Sequence, residues 1–499
     1  MALIFRILFP WIVSLTSRGG LLPCLVIRFL ASFLSISALA AAAPSYTIVT
    51  SAAVAKDPAW QEVAAALQAK YPQAKRIIWD KAVDECLPGL AGQHPQFVCF
   101  VSPPAEVTLD FVRHVHRLTR KLDPDPFTDC RWGILTGYDA ANALQIAKES
   151  SPLIIHRTLS GTDIATERCE TAVTYSELEA GKKVVKEAGQ AAVQSKGEAD
   201  SSWDIAKALE QKETQLFITS GHASERNWQI GYRYKNGTWK SHAGDLLAVN
   251  LTGENHPIQS PSAKVYLPVG NCLIGHIDGP DAMALAYMKS AGVRQMTGYT
   301  LPTWYGYQGW GMLDYFVEQP GRYTMNEAFF ANQHALEQRL LTYFPEIANE
   351  ESDSPEGKIK KPIIVGEAAK AAGLTAQDAE GLLFDRDVVA FYGDPAWEAR
   401  MASGPLQWKE TWTQTADGCS LEITPQAGAA TFKPVNTNGS QRGGRPIVRF
   451  FGHRIDPASV VITEGAALKP VITDDFLLVP LPTDGREQPL KVSFTAKPL

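Results

Sequence analysis

The feature that most restricts how this chain can fold is an alternation of short apolar runs with amphipathic segments, starting at Tyr46 and continuing past Val388. Tyr46-Thr47-Ile48-Val49-Thr50 is a β-rich run. Asp57-Pro58 then opens a helix: Asp57 is suited to accept from the first free N–H groups, and Pro58 to the first helical position. Ala64, Ala65, Leu67 and Tyr71 supply an apolar face to that helix. Strands are expected at 76–79, 97–101 and 132–135, and helices at 107–121 and 140–149. Strands separated by helices cannot close as hairpins, so the rhythm predicts the α/β class, a mainly parallel sheet flanked by helices.

Between about 175 and 202 the composition shifts to Glu, Lys, Ala, Gln and Gly with hardly any aromatic residue, which reads as a solvated helix or linker. A second set of signals follows, with strands at 216–220, 264–269 and 292–298 and helices near 281–290, 309–318 and 325–342. Residues 350–361 form an acidic then basic surface segment. Beyond roughly Gly404 the helical pattern stops. Runs at 446–451, 459–463 and 476–481, punctuated by Gly, Pro and Asp, predict an antiparallel, Ig-like β-sandwich. The expected division is 44–175 as a first α/β subdomain, 176–202 as a linker, 203–403 as a second α/β subdomain carrying the chemistry, and 404–499 as the sandwich.

Residues 1–43 contain Arg6, Arg18 and Arg28 and no acidic residue, and they end in Ser-Ala-Leu-Ala-Ala-Ala-Ala-Pro. Arg28 interrupts the apolar stretch, leaving it shorter than the ~20 residues a membrane span needs. The segment reads as a signal peptide cleaved near Ala43, and the protein as secreted, periplasmic or surface-located, with no stable membrane insertion once the segment is removed. The 47 basic residues against 53 acidic ones leave a net charge of −6, so no basic field is available for nucleic acid. Of the seven cysteines, Cys24 lies in the signal segment. Among the rest, Cys86 and Cys99 are the best-placed pair for a bridge, although Cys99 sits in an apolar run and reads equally as an inert core thiol.

Two apolar strands carry the reactive candidates at their ends. Leu216-Phe217-Ile218-Thr219-Ser220 runs into Gly221-His222-Ala223, and Val265-Tyr266-Leu267-Pro268-Val269 runs into Gly270-Asn271-Cys272. In a parallel sheet, functional groups gather at the carboxyl ends of strands, and small residues such as Gly221 and Gly270 let substrate approach the backbone. Neighbouring strands would bring His222 and Cys272 side by side. A thiol of pKa ~8.5 is mostly protonated at neutral pH, and an imidazole within reach activates it.

An apolar block ending in His and a small residue, then a second ending in Cys, resembles the caspase–gingipain–legumain group of cysteine peptidases. The gingipain branch fits best, because Val388-Val389-Ala390-Phe391-Tyr392-Gly393-Asp394-Pro395-Ala396 is similar to its apolar-Tyr-Gly-Asp-Pro segment and a β-sandwich follows. Gly298-Tyr299-Thr300, with the Gly-rich stretch and helix after it, is similar as well. The resemblance covers the layout from Tyr46 to Trp397. It implies a cysteine endopeptidase acting on protein or peptide substrate without a cofactor, with Cys272 as nucleophile and His222 as general acid/base. It also implies that the backbone N–H groups of Ala223 and Cys272 receive the developing oxyanion. The family usually has Gly where this chain has Ala223, which leaves less room beside the scissile carbonyl.

Around the dyad, Gly221, Gly270, Asn271, Tyr299 and Trp304 are the candidate substrate-binding residues. Trp304, Tyr305, Tyr307 and Trp310 form either a substrate wall or core. Ser224 and Glu225 either orient His222 or belong to a solvated loop, and Asp394 reads as a turn residue. Cys272, His276 and Asp278 are spaced like part of a metal site, but zinc sites usually show paired ligands at both ends, so no metal is assigned. Asn236, Asn250 and Asn438 match the glycosylation pattern. The alternative function is a catalytically inactive protein of the same fold that serves as a surface binding or assembly module. Oligomeric state and cleavage specificity are not legible in the residues.

Overall fold

In the computed structural model, residues 44–415, 418–439 and 441–499 are described, so the expected signal peptide lies outside the described residues. The runs read as strands join one twelve-stranded sheet. From one edge, Lys75–Trp79, Tyr46–Ser51, Phe97–Val101 and Arg131–Leu135 run parallel, and Val389–Tyr392 continues in the same sense. Val293–Tyr299 lies antiparallel to Val389–Tyr392, and Lys264–Pro268, Leu216–Thr219, Arg157–Ser160 and Thr171–Tyr175 then follow it in parallel. Two parallel blocks of opposite direction therefore meet at one seam, and the returning 389–392 strand, buried throughout, joins them.

The Tyr-Gly-Asp-Pro motif is the terminator of that strand. Gly393 has φ +110°, and a Cβ there would meet the Arg294 carbonyl, so no other residue fits. Asp394 is buried and accepts from Tyr46 Oη at 2.9 Å, Tyr71 Oη at 2.7 Å and Lys70 Nζ at 2.9 Å. These bonds tie the seam to the first helix, Pro58–Lys70. That helix starts as expected, with the Asp57 carboxylate accepting from Ala59 N at 2.9 Å. Its buried face is Trp60, Val63, Ala64 and Leu67, whereas Ala65 is exposed. Of the face read from the sequence, Ala64 and Leu67 are thus buried and Tyr71 half-buried, Trp60 and Val63 extend it, and Ala65 alone falls outside it.

The 176–202 segment is neither helix nor free linker. It contains the strands Lys182–Lys186 and Val193–Lys196, an antiparallel hairpin that extends the sheet to its second edge. Only Val193–Lys196 is the edge strand, with every residue exposed; the lysines of Lys182–Lys186 sit half-buried on the strand inside it, so the hairpin carries the composition of a surface. Since Arg157–Ser160 and Thr171–Tyr175 pair on the Leu216–Thr219 side, a boundary at 175 passes through a continuous sheet.

A small antiparallel sheet of Asn227–Gln229, Thr238–His242, Asp245–Val249 and Asn255–Ile258 occupies the chain between the histidine and cysteine turns. Beyond Gly404, two antiparallel sheets form. One orders Trp408–Thr415, Gly418–Pro425, Leu490–Thr495 and Val461–Glu464; the other orders Ile447–Phe450, Phe476–Val479 and Val471–Ile472. Leu421, Ile423, Val492 and Phe494 of the first share a core with Ile447, Leu477 and Val479 of the second, so the two-sheet β arrangement read from the sequence is present. Among the described residues no helix is long and apolar enough to cross a membrane.

Candidate active site

Four successive parallel strands end at the same edge of the sheet, and the residues just beyond them form the site. After Lys264–Pro268 comes Cys272, after Leu216–Thr219 His222, after Arg157–Ser160 Thr162, and after Thr171–Tyr175 Glu177. The register Thr219↔Pro268 brings the histidine and cysteine turns level. Asn271 then locks them together. Its Oδ1 accepts from Thr219 Oγ1 at 2.6 Å, and its Nδ2 donates to Gly221 O at 3.0 Å. The amide is fully buried, where an unpaired polar group is costly. Asn271, expected to touch substrate, instead acts behind the turns as their tie.

Cys272 is the one cysteine of the six described that is not buried, and all six are free thiols. The expected Cys86–Cys99 bridge is therefore absent, with both residues in the core, as the other reading of Cys99 had it. Burial pushes Cys86 up to about 12 and Cys169 to about 11, which keeps them as inert thiols. The Cys272 sulfur accepts from Thr303 N at 3.2 Å. His222 is exposed, its ring against that of Tyr232 at 4.9 Å between centroids and 31° between planes. Among the described residues no hydrogen bond joins the His222 ring to the Cys272 sulfur.

Two backbone donors are left uncommitted beside them. Ala223 bridges to Trp228, but the bonds of that bridge are Gln229 N to His222 O and Ser224 N to Asn227 O, each 2.9 Å, so the Ala223 N–H stays outside the ladder. Among the described residues the Cys272 N–H has no partner either, the turn being closed by Leu273 N to Leu301 O. Such a pair of free N–H groups can receive an oxyanion.

Gly221 has φ +94°, which a side chain rarely adopts. Gly270 is required for space: a Cβ there would lie 2.5 Å from Ser220 Oγ and 3.3 Å from Trp310 Cζ2. Among the described residues no hydrogen bond joins the Ser224 or Glu225 side chain to the His222 ring. The Ser224 hydroxyl accepts from Arg226 N at 3.1 Å, and the Glu225 carbonyl accepts from Met283 N.

The aromatic quartet divides. Trp304 is 57% exposed at the rim, Tyr305 is half-buried, and Tyr307 and Trp310 are core. Tyr299 is also core rather than substrate wall: its hydroxyl donates to Asp385 at 2.8 Å and accepts from Gly309 N at 3.0 Å. The Cys272–His276–Asp278 set does not converge, because Asp278 is turned to Arg226 in a bidentate pair, with Nη2 to Oδ2 at 2.8 Å. That pair clips the histidine turn to the cysteine turn from outside.

Glu177 was not anticipated. It is 5% exposed, and its Oε1 accepts from Thr162 Oγ1 at 2.7 Å. Oε2 lies 3.6 Å from where a Gly221 Cβ would be and makes no full hydrogen bond. Burial raises its carboxyl above the usual range, while Thr162, Ser220 and Asn438 favour the charged form. Among the described residues no lysine or arginine pairs with it. The rule that located His222 and Cys272, the carboxyl end of a parallel strand, also locates Glu177; assigning 171–175 to the other subdomain hid it.

No family model matches the sequence, and no curated protein matches it. Among solved structures, the crystal structure of the Arg-specific cysteine proteinase gingipain R aligns over 88% of this chain and 91% of its own, with 10% identity and a TM-score of 0.42. A complex of the pro- and mature domains of RgpB from Porphyromonas gingivalis aligns over 88% and 93%, with 10% identity and a TM-score of 0.43.

Proposed function

We propose that the protein is a cysteine endopeptidase using a Cys272–His222 dyad. The supporting observation is the convergence, on two adjacent strand ends tied by Asn271, of the accessible thiol, an exposed imidazole and two uncommitted N–H groups. The Cys272 proton passes to His222 and the thiolate sulfur attacks the scissile carbonyl carbon. The oxyanion is held by the N–H groups of Ala223 and Cys272. As the carbonyl re-forms, the C–N bond breaks and His222 protonates the leaving amine. Water, deprotonated by His222, then attacks the thioester; the C–S bond breaks and the thiol is restored.

Glu177 gives the reading a substrate class. A buried carboxylate with one oxygen unclaimed and no cationic partner suits a basic side chain on the residue before the cut. Export rests on the character of residues 1–43, and protein or peptide is the partner the chemistry requires.

The test is to treat the full chain with iodoacetamide and map the adduct, alongside hydrolysis of peptide reporters. Labelling confined to Cys272 that slows at least tenfold in His222→Ala, with hydrolysis lost in Cys272→Ala, supports the dyad. Labelling indifferent to His222, with no hydrolysis, transfers the fold to the binding-module reading.

A further inference from the structure

The C-terminal region does not stop at its own two sheets. Its residues 434–439 and 441–446 pack against the α/β part, and Asn438 reaches the strand ends that hold the candidate site. Arg442 Nε donates to Asp314 at 2.8 Å, and its other nitrogens reach Glu318 and Asn438 O. Gly443 N donates to the second Asp314 oxygen at 3.0 Å, and Arg445 Nε to the same oxygen at 3.1 Å. All four charged side chains are buried, so the strap is held by paired ions shielded from water rather than by surface contacts. Gly439, at φ +88°, lies so close to the Trp310 ring that a Cβ would strike it, and Trp310 in turn backs Gly270.

At the tip of this strap, Asn438 Nδ2 donates to Thr162 Oγ1 at 3.2 Å and to Asp163 O at 3.0 Å. While accepting from Asn438, the Thr162 hydroxyl donates its own proton to Glu177 Oε1. We propose that Asn438 is a positioning residue for Glu177, and that the C-terminal region thereby sets the specificity of the site instead of being an appended module. The relay Asn438–Thr162–Glu177 has a single direction, because Asn438 Nδ2 can only donate and a carboxylate can only accept. It holds one carboxylate oxygen and leaves Oε2 turned toward Gly221, the residue before His222. Asn438 also matches a glycosylation pattern, but here its amide is committed to Thr162 and Asp163.

The inference rests on the peptidase reading, and the experiment separates the two. Reporter peptides ending in arginine and in citrulline, its neutral near-isostere, are hydrolysed by full-length wild type, Glu177→Gln, Asn438→Ala and Thr162→Val. The expected arginine-to-citrulline ratio of kcat/KM is high in wild type and collapses in Glu177→Gln. It falls about tenfold, through KM, in Asn438→Ala and Thr162→Val, the size of one charge-assisted hydrogen bond. Citrulline hydrolysis is unchanged in Asn438→Ala and Thr162→Val, and the double variant of these two is no worse than either single one because both break the same relay. A ratio lost in Glu177→Gln but untouched in the other two overturns the role of Asn438 alone. So does an equal fall of both reporters in Asn438→Ala, which marks a merely structural contact. A wild-type ratio near one, or no hydrolysis of either reporter, overturns the reading beneath it.

Discussion

The side-chain amide of Asn271 donates to the backbone carbonyl of Gly221 at 3.0 Å, so the residue before the candidate nucleophile is bonded to the residue before the candidate base. Fifty positions of chain, including a complete four-stranded sheet, lie between the two turns. Their spacing is nevertheless governed by one buried hydrogen bond and the strand pairing beneath it.

Asn271→Asp keeps the acceptor for Thr219 and replaces the donor by an oxygen facing the Gly221 carbonyl. Loss of this buried bond costs about 1–3 kcal/mol, measured as a lower denaturant midpoint. Misplacing one turn against the other lowers peptide hydrolysis about 100-fold. A variant that unfolds more easily yet hydrolyses at the wild-type rate would show that the tie matters to folding alone.

Gly270→Ala introduces a methyl group 2.5 Å from Ser220 Oγ but 3.5 Å from Ser220 Cβ. The clash is therefore with the hydroxyl. Overpacking of this kind costs about 1–3 kcal/mol, and Ser220→Ala in the same chain recovers most of it. Thermal unfolding of the two single variants and the double one gives the coupling directly; simple additivity would refute the steric account.

A pH dependence of stability follows from acids far from the dyad. The carboxylates of Asp123, Asp125 and Asp129 converge within 4.8 Å of one another, and Asp474 and Asp475 add to their field. Burial first, then the neighbouring carboxylates, pushes Asp125 up to about 7, Asp129 to about 10 and Asp475 to about 6. Because the folded protein holds these protons more tightly than the unfolded chain, their contribution is fully present below about pH 4. It is lost as pH rises through the raised values. Stability should decline from pH 5 to pH 8 on their account. Asp129→Asn, whose side-chain oxygen can still accept from Leu122 N, raises the unfolding midpoint at pH 8 and flattens that slope. A midpoint lowered equally at both pH values would refute the assignment.

Most strands of the two parallel blocks were legible because each is a short apolar run bounded by turn residues. The 97–101 strand, for example, has every side chain buried, and its hydrophobic pattern is continuous. The Lys182–Lys186 and Val193–Lys196 hairpin lacks that signal because its side chains are half-buried on the inner strand and exposed on the edge strand, and its composition is that of a surface. The boundary read after Tyr175 follows from the same composition, and it separates Glu177 from the strand that presents it. Tyr299 and Trp304 are both aromatic residues behind the same strand, yet one is sealed against Asp385 and the other stands 57% exposed. Residue type does not distinguish them.

By itself the sequence determined the α/β class, the trailing β-sheet region, and the two strand ends on which a cysteine and a histidine sit. These are local properties: hydrophobic periodicity, caps and turn residues act over a few positions. Only the tertiary structure decided that Asn271 ties the turns, that Arg226 clips to Asp278, and that Thr162, Glu177 and Asn438 share one hydrogen-bonded path. Those partners are 50, 52, 15 and 276 positions apart. Buried polar groups must be satisfied by whatever the packing brings alongside, and that is settled by the register of strands and the docking of the strap, not by neighbours along the chain.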